Sequence, residues 1–148
     1  MAVALLDVNV LVALLWPSHI HFQRAFRWFR SRRSEGWATC PLTELAFVRL
    51  SAQPAAVGTP FSISEALETL ANNLAGPDHE FWPLDYGLTE VLPEIRERVI
   101  GHQQLNDALL LDLAIRRGGR LATFDRRTEA LLPPGSPHRS ALEIIRTE

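Results

Sequence analysis

The segment that decides the fold is AVALLDVNVL, residues 2–11. Its first five residues are apolar and run without interruption into Asp7, and Asn9 follows two positions later. A short continuous apolar run is typical of a strand buried on both faces, as in a parallel sheet covered by helices. An ionised carboxylate is too costly to bury inside such a strand. We therefore place Asp7 at the C-terminal tip of the strand, where open α/β sheets present their ligand sites.

Apolar segments recur along the chain and alternate with helical patterns. At 148 residues the chain is predicted to form one domain over residues 1–148. Strands that alternate with helices favour an α/β fold with a central, mostly parallel sheet of about five strands. The third segment contains Pro83 and is expected near a sheet edge. After the first strand, the predicted strands are residues 37–40, 81–84, 120–124 and 141–145.

Two helices are predicted between the first and second strands. One runs from Val10 to Trp16, and the next is capped by Ser18 and ends near Arg33. The second helix has an apolar face, expected to pack on the core, and a basic face. The basic face is either solvated or holds RNA phosphates, and both interpretations stay open. The apolar face is Phe22, Ala25, Phe26 and Phe29, and the basic face is Arg24, Arg27 and Arg30.

Four more helices are predicted in the rest of the chain. Ser62 and Glu65 have the spacing of a capping box at the start of one of them. Asn106 is expected to cap the last, and Pro93 predicts a kink or boundary in the one before it. Residues 54–60 are predicted to form a loop. The helical segments are residues 43–50, 62–75, 88–99 and 106–117.

The composition limits the classes of function. A formal net charge of −2 argues against a wholly basic nucleic-acid binder, so RNA binding would need a local basic patch. Cys40 is the only cysteine, which excludes an internal disulfide and predicts a buried thiol. No segment approaches the roughly 20 apolar residues of a membrane span, and the start does not resemble a signal peptide. We therefore expect a cytoplasmic protein without a membrane partner.

Four acidic residues could meet at one edge of the sheet. Asp7 and Asp125 both follow apolar strands, and Glu44 lies at the start of the helix after the second strand. Asp107 opens the helix that leads into the fourth strand. A simple βαβ unit is expected to put that helix start at the opposite end, so topology leaves Asp107 open. We nevertheless prefer it to Asp112, because Asp107 shares a face with apolar residues and Asp112 is expected to face water.

Clustered carboxylates point to a metal site. They cannot all stay ionised in a partly buried pocket unless their pKa values rise or a cation neutralises them. Ligands that are oxygen atoms alone suit Mg²⁺ or Mn²⁺ rather than zinc. Such an ion can orient a water against a phosphate and screen the charge that develops there. Each acid alone could equally be a helix cap, so the prediction rests on their joint placement.

The same residues resemble the PIN-domain ribonucleases of the VapC type, which are the toxins of toxin–antitoxin pairs. The matching motifs occur in order over nearly the whole chain. Asn106 is a small departure, since relatives more often carry Thr or another residue there. The motifs are LLDVNVL at residues 5–11, TEL at 43–45, NDALL at 106–110 and LATFDR at 121–126.

The resemblance implies an α/β/α sandwich and an active site that hydrolyses RNA phosphodiester bonds with Mg²⁺ or Mn²⁺. Asn9 and Thr123 would be supporting polar groups that hydrogen-bond the acids or a metal-bound water. It also implies a homodimer, an RNA substrate and a VapB-type antitoxin whose C-terminal segment lies across the active-site groove. The implied acidic set, catalytic and metal-binding, is Asp7, Glu44, Asp107 and Asp125.

Two other functions compete with a toxin ribonuclease. A PIN-like module could hold RNA or a protein without cutting, although a module freed from catalysis has no need to crowd four acids. A phosphatase of the haloacid dehalogenase type also begins with an Asp at a strand tip. That chemistry requires a second Asp two residues after the nucleophile, and this chain has Asn9 there.

Overall fold

Five parallel strands form the central sheet. The computed structural model describes residues 2–53 and 61–147, and within them the sheet order is β3-β2-β1-β4-β5 with every pairing parallel. The predicted α/β fold with a parallel sheet of about five strands is confirmed. The third strand lies at an edge, as Pro83 predicts, but two residues earlier than expected. The strands are β1 (Ala4–Leu6), β2 (Trp37–Thr39), β3 (His79–Phe81), β4 (Arg120–Thr123) and β5 (Leu142–Ile144).

Helices connect these strands. The predicted capping box is present, since Glu65 donates its N–H to the Ser62 hydroxyl at 3.0 Å and its carboxylate accepts the Ser62 N–H at 2.8 Å. The predicted loop over residues 54–60 lies outside the described residues. No described helix is long and apolar enough to cross a membrane. The helices are α1 (Val8–Leu15), α2 (Phe22–Arg32), α3 (Pro41–Ser51), α4 (Ile63–Leu74), α5 (Pro93–Arg96) and α6 (Leu105–Arg116).

Both faces of the sheet are covered. Successive residues of a strand point to opposite faces, so Leu6 packs with the first four helices and Leu5 with α5 and α6. Both leucines are fully buried, as are Phe47 of α3 and Leu111 of α6 on the two faces. The result is an α/β/α sandwich, which explains why the first strand is apolar without alternation.

The tips of the central strands are aligned. Leu6 lies opposite Ala122 in the parallel register, and the N–H of Asp7 donates to the Ala122 carbonyl at 2.9 Å. The residues that follow β1, β2 and β4 therefore emerge at one edge of the sheet. Cys40, directly after β2, is buried as predicted, and burial raises the pKa of its thiol.

Helix α2 presents to the core only part of its predicted apolar face, since Ala25 is fully buried and Phe29 packs against the core as predicted. It begins at Phe22 rather than directly after Ser18, and no side chain caps its N-terminus. Trp28 is buried, whereas Phe26 is 44% exposed. The Trp28 indole donates to Glu143 Oε2 at 2.8 Å, so a large ring with a polar edge turns this side of the helix toward the end of the sheet.

The region before α6 is less helical than predicted. Of residues 88–99 only α5 is α-helical, and Pro93 is its first residue, where a missing N–H has no helical partner to lose. The N–H of Leu92 donates to the Asp112 carboxylate at 2.9 Å. Asn106 lies inside the first turn of α6 rather than capping it, because a 3₁₀ turn runs directly into the helix.

Candidate active site

Asp7 lies where the first strand ends, as predicted, and it starts α1. Its Oδ1 accepts the N–H of Val8 at 2.7 Å, and its Oδ2 accepts the hydroxyl of Thr123 at 2.7 Å. The residue is only 4% exposed. Burial raises the pKa of this carboxyl, and the two hydrogen bonds offset part of that increase. A buried acid held by two donors is fixed in orientation but remains short of positive charge.

Thr123 connects the tips of β1 and β4. Its hydroxyl donates to Asp7 and accepts from Asn9 Nδ2 at 3.2 Å and from the N–H of Asp125 at 3.0 Å. The amide oxygen of Asn9 in turn accepts the N–H of Phe124 at 3.2 Å. Thr123 thus hydrogen-bonds an acid as expected, whereas the described side-chain contacts of Asn9 are to Thr123 and Phe124 and not to an acid. The part of both residues in catalysis stays a prediction.

Asp107 lies in the first turn of α6 at the same edge of the sheet. Burial is the main reason that its pKa rises from 3.8 to about 6, and the negative charges of Asp7 and Asp125 raise it further. The expectation from topology that this helix starts at the opposite end was wrong. A helix that precedes a parallel strand runs antiparallel to it, so its N-terminus lies beside the C-terminal ends of the strands.

Asp125 lies two residues after the end of β4 and differs from the other two aspartates in its hydrogen bonds to a cationic partner. Its carboxylate accepts three bonds from Arg127, from the backbone N–H and Nε at 3.0 Å and from Nη2 at 2.8 Å. The bond to the Arg127 side chain is the main reason that the pKa of Asp125 lies below its ordinary value. Two aspartates with raised pKa values therefore face a third that is already neutralised.

Glu44 belongs to a separate group of polar side chains beyond the tip of β2. Its Oε2 accepts the Thr39 hydroxyl at 2.6 Å, and that hydroxyl is 2.8 Å from Nε2 of His79. Glu44 is in the first turn of α3 and so lies at the predicted edge. None of its contacts in the described part of the chain is to Asp7, Asp107 or Asp125.

A cleft of about 580 Å³ opens over the aspartates. Asp107 and Asp125 line it together with Arg127, while Asp7 lies beneath. Among the described residues no three acidic, histidine or cysteine side chains are close enough together to enclose a metal ion. The remaining lining residues are Ile100, Gly101, Gln103, Gln104, Thr128 and Leu131.

The PIN-domain family model matches residues 4–131. The chain belongs to the PIN-domain family. It is 46% identical over 122 residues to ribonuclease VapC38 of Mycobacterium tuberculosis H37Rv, which covers 82% of this chain and 84% of that protein. Ribonuclease VapC44 of the same organism is 38% identical over 133 residues, which covers 90% of this chain and 93% of that protein. The resemblance to VapC-type PIN-domain proteins is therefore confirmed.

Two solved structures share the fold of this PIN-domain protein. VapBC2 from Rickettsia felis, solved with a DNA fragment from its promoter, covers 96% of this chain and 98% of that one at a TM-score of 0.66 and 16% identity. PAE2754 from Pyrobaculum aerophilum covers 95% of this chain and 83% of that one, at a TM-score of 0.59 and 24% identity. The phosphatase hypothesis is left without support, because the matching family is the PIN domain.

Asp112, the alternative to Asp107, does not face water as predicted. It is fully buried and accepts the N–H of Leu92 at 2.9 Å and Nε of Arg116 at 2.6 Å. Arg116 also stacks over the Tyr86 ring at 3.8 Å. The segment that contains Tyr86 and Leu92 covers this side of α6. Two sides of the helix are therefore buried, whereas the helical wheel predicts only one. Asp112 is not among the residues that line the cleft.

The basic residues of α2 lie outside the acidic cleft. Arg27 and Arg30 are exposed, and Arg24 donates to the backbone carbonyl of Arg146. Arg27 lines two shallow surface grooves on either side of the helix. The PIN-domain protein therefore carries a basic surface separate from its acids, and contact of that surface with RNA stays a prediction.

Sequence reasoning missed three residues of the site region, Thr39, His79 and Arg127. Thr39 has a detectable signal, since it is the last residue of β2 as Thr123 is of β4, and both hydroxyls donate to an acid. His79 carries no such signal, because its partner lies on another strand. Arg127 follows Asp125 by two residues, a spacing that favours local pairing at a turn.

Proposed function

We propose that this PIN-domain protein is a metal-dependent endoribonuclease that acts as the toxin of a toxin–antitoxin pair. The observation that carries the proposal is the gathering of Asp7, Asp107 and Asp125 around one cleft, with the pKa of Asp107 raised to about 6. Acids crowded in this way lower the stability of the fold unless a bound ligand offsets their repulsion. The relatives named ribonuclease, 46% and 38% identical, support the same function.

The acids fit Mg²⁺ or Mn²⁺, because hard divalent cations prefer carboxylate oxygens. Asp7, Asp107 and Asp125 would hold the ion, with Glu44 as a fourth acid of the same edge. When bound, the ion would lower the pKa of a water and neutralise charge on a phosphoryl oxygen. Since no three of these side chains among the described residues lie close enough together to enclose an ion, water would have to complete its coordination.

The supporting residues would determine how the acids act. Thr123 and the N–H of Val8 each hold one oxygen of Asp7, which fixes the orientation of the carboxylate and leaves lone pairs free on both oxygens. Asn9 keeps Thr123 oriented by donating to it and accepting from the strand that follows. With a pKa of about 6, Asp107 would be mostly ionised at neutral pH and so able to bind a cation.

The partners and location follow from the same proposal. We propose that residues 1–148 form a single nuclease domain that acts on RNA in the cytoplasm as a homodimer, and that a VapB-type antitoxin inhibits it. The structural neighbour VapBC2 was solved with promoter DNA, which supports a toxin–antitoxin complex for this chain. Co-expression with the product of the adjacent reading frame, followed by light scattering of each species, tests both assemblies.

The experiment is an RNA cleavage assay on purified protein with Mg²⁺, with Mn²⁺ and with EDTA. Cleavage is expected with either ion and not with EDTA. The double substitution of Asp7→Asn and Asp125→Asn should lower the rate by about 100-fold or more. Even the replacement of a residue that only hydrogen-bonds a metal ligand costs about 10- to 100-fold. Asp85→Asn is the matched control, because Asp85 is exposed and does not line the cleft. Full activity of the double variant would contradict the mechanism.

The same preparation tests the basic face of α2. If Arg24, Arg27 and Arg30 hold phosphates of a single strand, replacing all three by Ala should flatten the dependence of log affinity on log salt by about 2. An unchanged slope would make the face a solvated surface.

The non-catalytic module is favoured by one observation, the pairing of Asp125 with Arg127, which occupies a predicted metal ligand. Calorimetric titration with Mn²⁺ separates the two functions. A protein that binds RNA but no Mn²⁺, and does not cut, would be such a module.

A further inference from the structure

Arg127 is the charged residue of the cleft, among those described, for which the proposed mechanism has no role. Its guanidinium holds Asp125 through Nε on one carboxylate oxygen and Nη2 on the other. The Arg127 side chain is 87% exposed, against 23% for Asp125. A cation with this exposure contributes little to stability as half of an ion pair. The pair is therefore easily exchanged for other partners.

The carboxylate that Arg127 occupies is also a proposed metal ligand. A carboxylate has roughly four lone-pair positions, and Arg127 fills three of them with its backbone N–H, Nε and Nη2. A divalent ion at about 2.0–2.1 Å would take the remaining position, which is on Oδ2 beside Nη2 of Arg127. Two cations would then share one carboxylate, and their repulsion would weaken the guanidinium contact.

The backbone would keep a released Arg127 inside the cleft. The N–H of Arg127 donates to Asp125, and the N–H of Thr128 donates to the Asp125 carbonyl at 3.2 Å. These bonds hold the start of the 3₁₀ turn Arg126–Leu131, so only the side chain needs to move. Of the described residues that line the cleft, Arg127 alone is cationic.

The charge of the cleft also requires a cation for RNA. Asp7, Asp107 and Asp125 together bring three negative charges against a polyanion when all are ionised. A divalent ion would cancel two of them, and the guanidinium of Arg127 would cancel the third. The planar fork that now matches a carboxylate matches the two oxygens of a phosphate equally well.

We propose that Arg127 alternates between two anions, pairing with Asp125 while the cleft holds no metal and gripping an RNA phosphate once a divalent ion takes Asp125. This inference rests on the proposed ribonuclease function. It makes metal binding and RNA binding mutually reinforcing, because the ion releases the side chain that the RNA needs.

The first measurement is the affinity for Mn²⁺ without RNA, by calorimetry. Arg127→Ala removes the competitor, so its affinity should rise by about fivefold over wild type, the range of an exposed ion pair. Arg126→Ala is the matched control, because it removes the same charge one residue away from a side chain that does not line the cleft. It should change the affinity by less than twofold. Weaker Mn²⁺ binding by Arg127→Ala would overturn the proposal, since Arg127 would then organise Asp125 for the ion.

The second measurement is the anisotropy of a labelled single-stranded RNA, with EDTA and with Ca²⁺, which serves as a divalent ion while intact probe is verified on a gel. With Ca²⁺, Arg127→Ala should weaken RNA binding by about tenfold and reduce the salt slope by about 0.7, the value for one phosphate contact. With EDTA the loss should be under twofold, because wild-type Arg127 is then held by Asp125. Arg127→Lys, which keeps the charge without the fork, should fall between the two.

The outcomes separate the inference from the proposed function. Equal losses with EDTA and with Ca²⁺, or an Arg127→Ala variant that matches Arg126→Ala throughout, would overturn the alternation while leaving a wild-type enzyme that binds Mn²⁺ and cuts RNA. A wild-type protein that binds neither Mn²⁺ nor RNA would overturn the proposed function and the inference together. Thermal unfolding by circular dichroism verifies that each variant is folded.

Discussion

The tips of β4 and β2 use the same local device in different charge environments. Each strand ends with a fully buried threonine, Thr123 or Thr39, whose hydroxyl donates to an acid. Thr123 serves Asp7, whose other neighbours are an amide and further aspartates, whereas Thr39 also contacts His79. At the β2 tip the base lies next to the threonine, whereas at the β1–β4 tip the base is Arg127, which pairs with Asp125 and not with Asp7. The same threonine contact therefore leaves Glu44 near an imidazole and Asp7 near further acids.

The largest expected effect on stability separates the two threonines. Thr123→Val keeps the shape but leaves buried Asp7 with one donor fewer, so we expect a loss of about 2 kcal/mol of stability and 10- to 100-fold of activity. Thr39→Val should cost under tenfold in activity, because half-buried Glu44 can take a water in place of the hydroxyl. Urea unfolding and RNA cleavage measure both. Equal losses in the two variants would show that the environments are equivalent.

A smaller effect, of opposite sign for stability, is expected for Asp107→Asn. The pKa of Asp107 is raised from 3.8 to about 6, so the folded state holds the proton more tightly than the unfolded chain. Below about pH 4 the carboxyl is protonated in both states and the burial costs nothing, and stability falls as the pH rises through about 6.

The uncharged amide avoids that loss. At pH 7 we expect Asp107→Asn to be more stable than wild type by about 1 kcal/mol, after allowance for its partial exposure, while cleavage is lost. At pH 4 the two proteins should be equal in urea unfolding. Asp85→Asn, on an exposed carboxyl, is the control. A gain that is the same at both pH values would contradict the assignment to charge burial.

The smallest effect is expected at His79. Its pKa lies below the ordinary value, chiefly because of burial. His79→Asn removes one contact of Thr39, which can still donate to Glu44 at 2.6 Å, so cleavage should fall by only about threefold. The rate and the Mn²⁺ affinity of this variant are compared with those of Thr39→Val. A loss as large as that of Thr39→Val would show that His79 and Thr39 act as a unit.

The fold was predictable from the sequence where burial alone decides the structure. The apolar run that ends at Asp7 predicts a strand covered on both faces, and the same reasoning places Asp125 after β4. Pro83 correctly predicts an edge strand. The wrong predictions came where a partner distant in sequence decides. Trp28 faces the sheet because Glu143 accepts its indole N–H, and no local pattern contains that contact.

The identity of the acids was predictable from the sequence, but the contacts that each acid makes were not. Motif order singled out Asp7, Asp107 and Asp125, which the structure brings around one cleft, and Glu44, which it joins to Thr39 instead. Periodicity misjudged Asp112, since a helical wheel cannot show that a second segment covers the other side of the helix. Pairing of Arg127 with Asp125 depends on side-chain geometry that spacing alone does not specify.

Helix α6 carries two carboxylates with different roles. Asp107 lines the cleft, and Asp112 is fully buried. Inserting or deleting one residue between them would turn one by about 100° relative to the other, so only one could keep its place. The hydrogen bonds that Asp112 accepts from Arg116 and Leu92 thereby fix the rotation of the helix about its axis. The length of this stretch is therefore constrained independently of its residue types, and an engineered protein with this fold must preserve it.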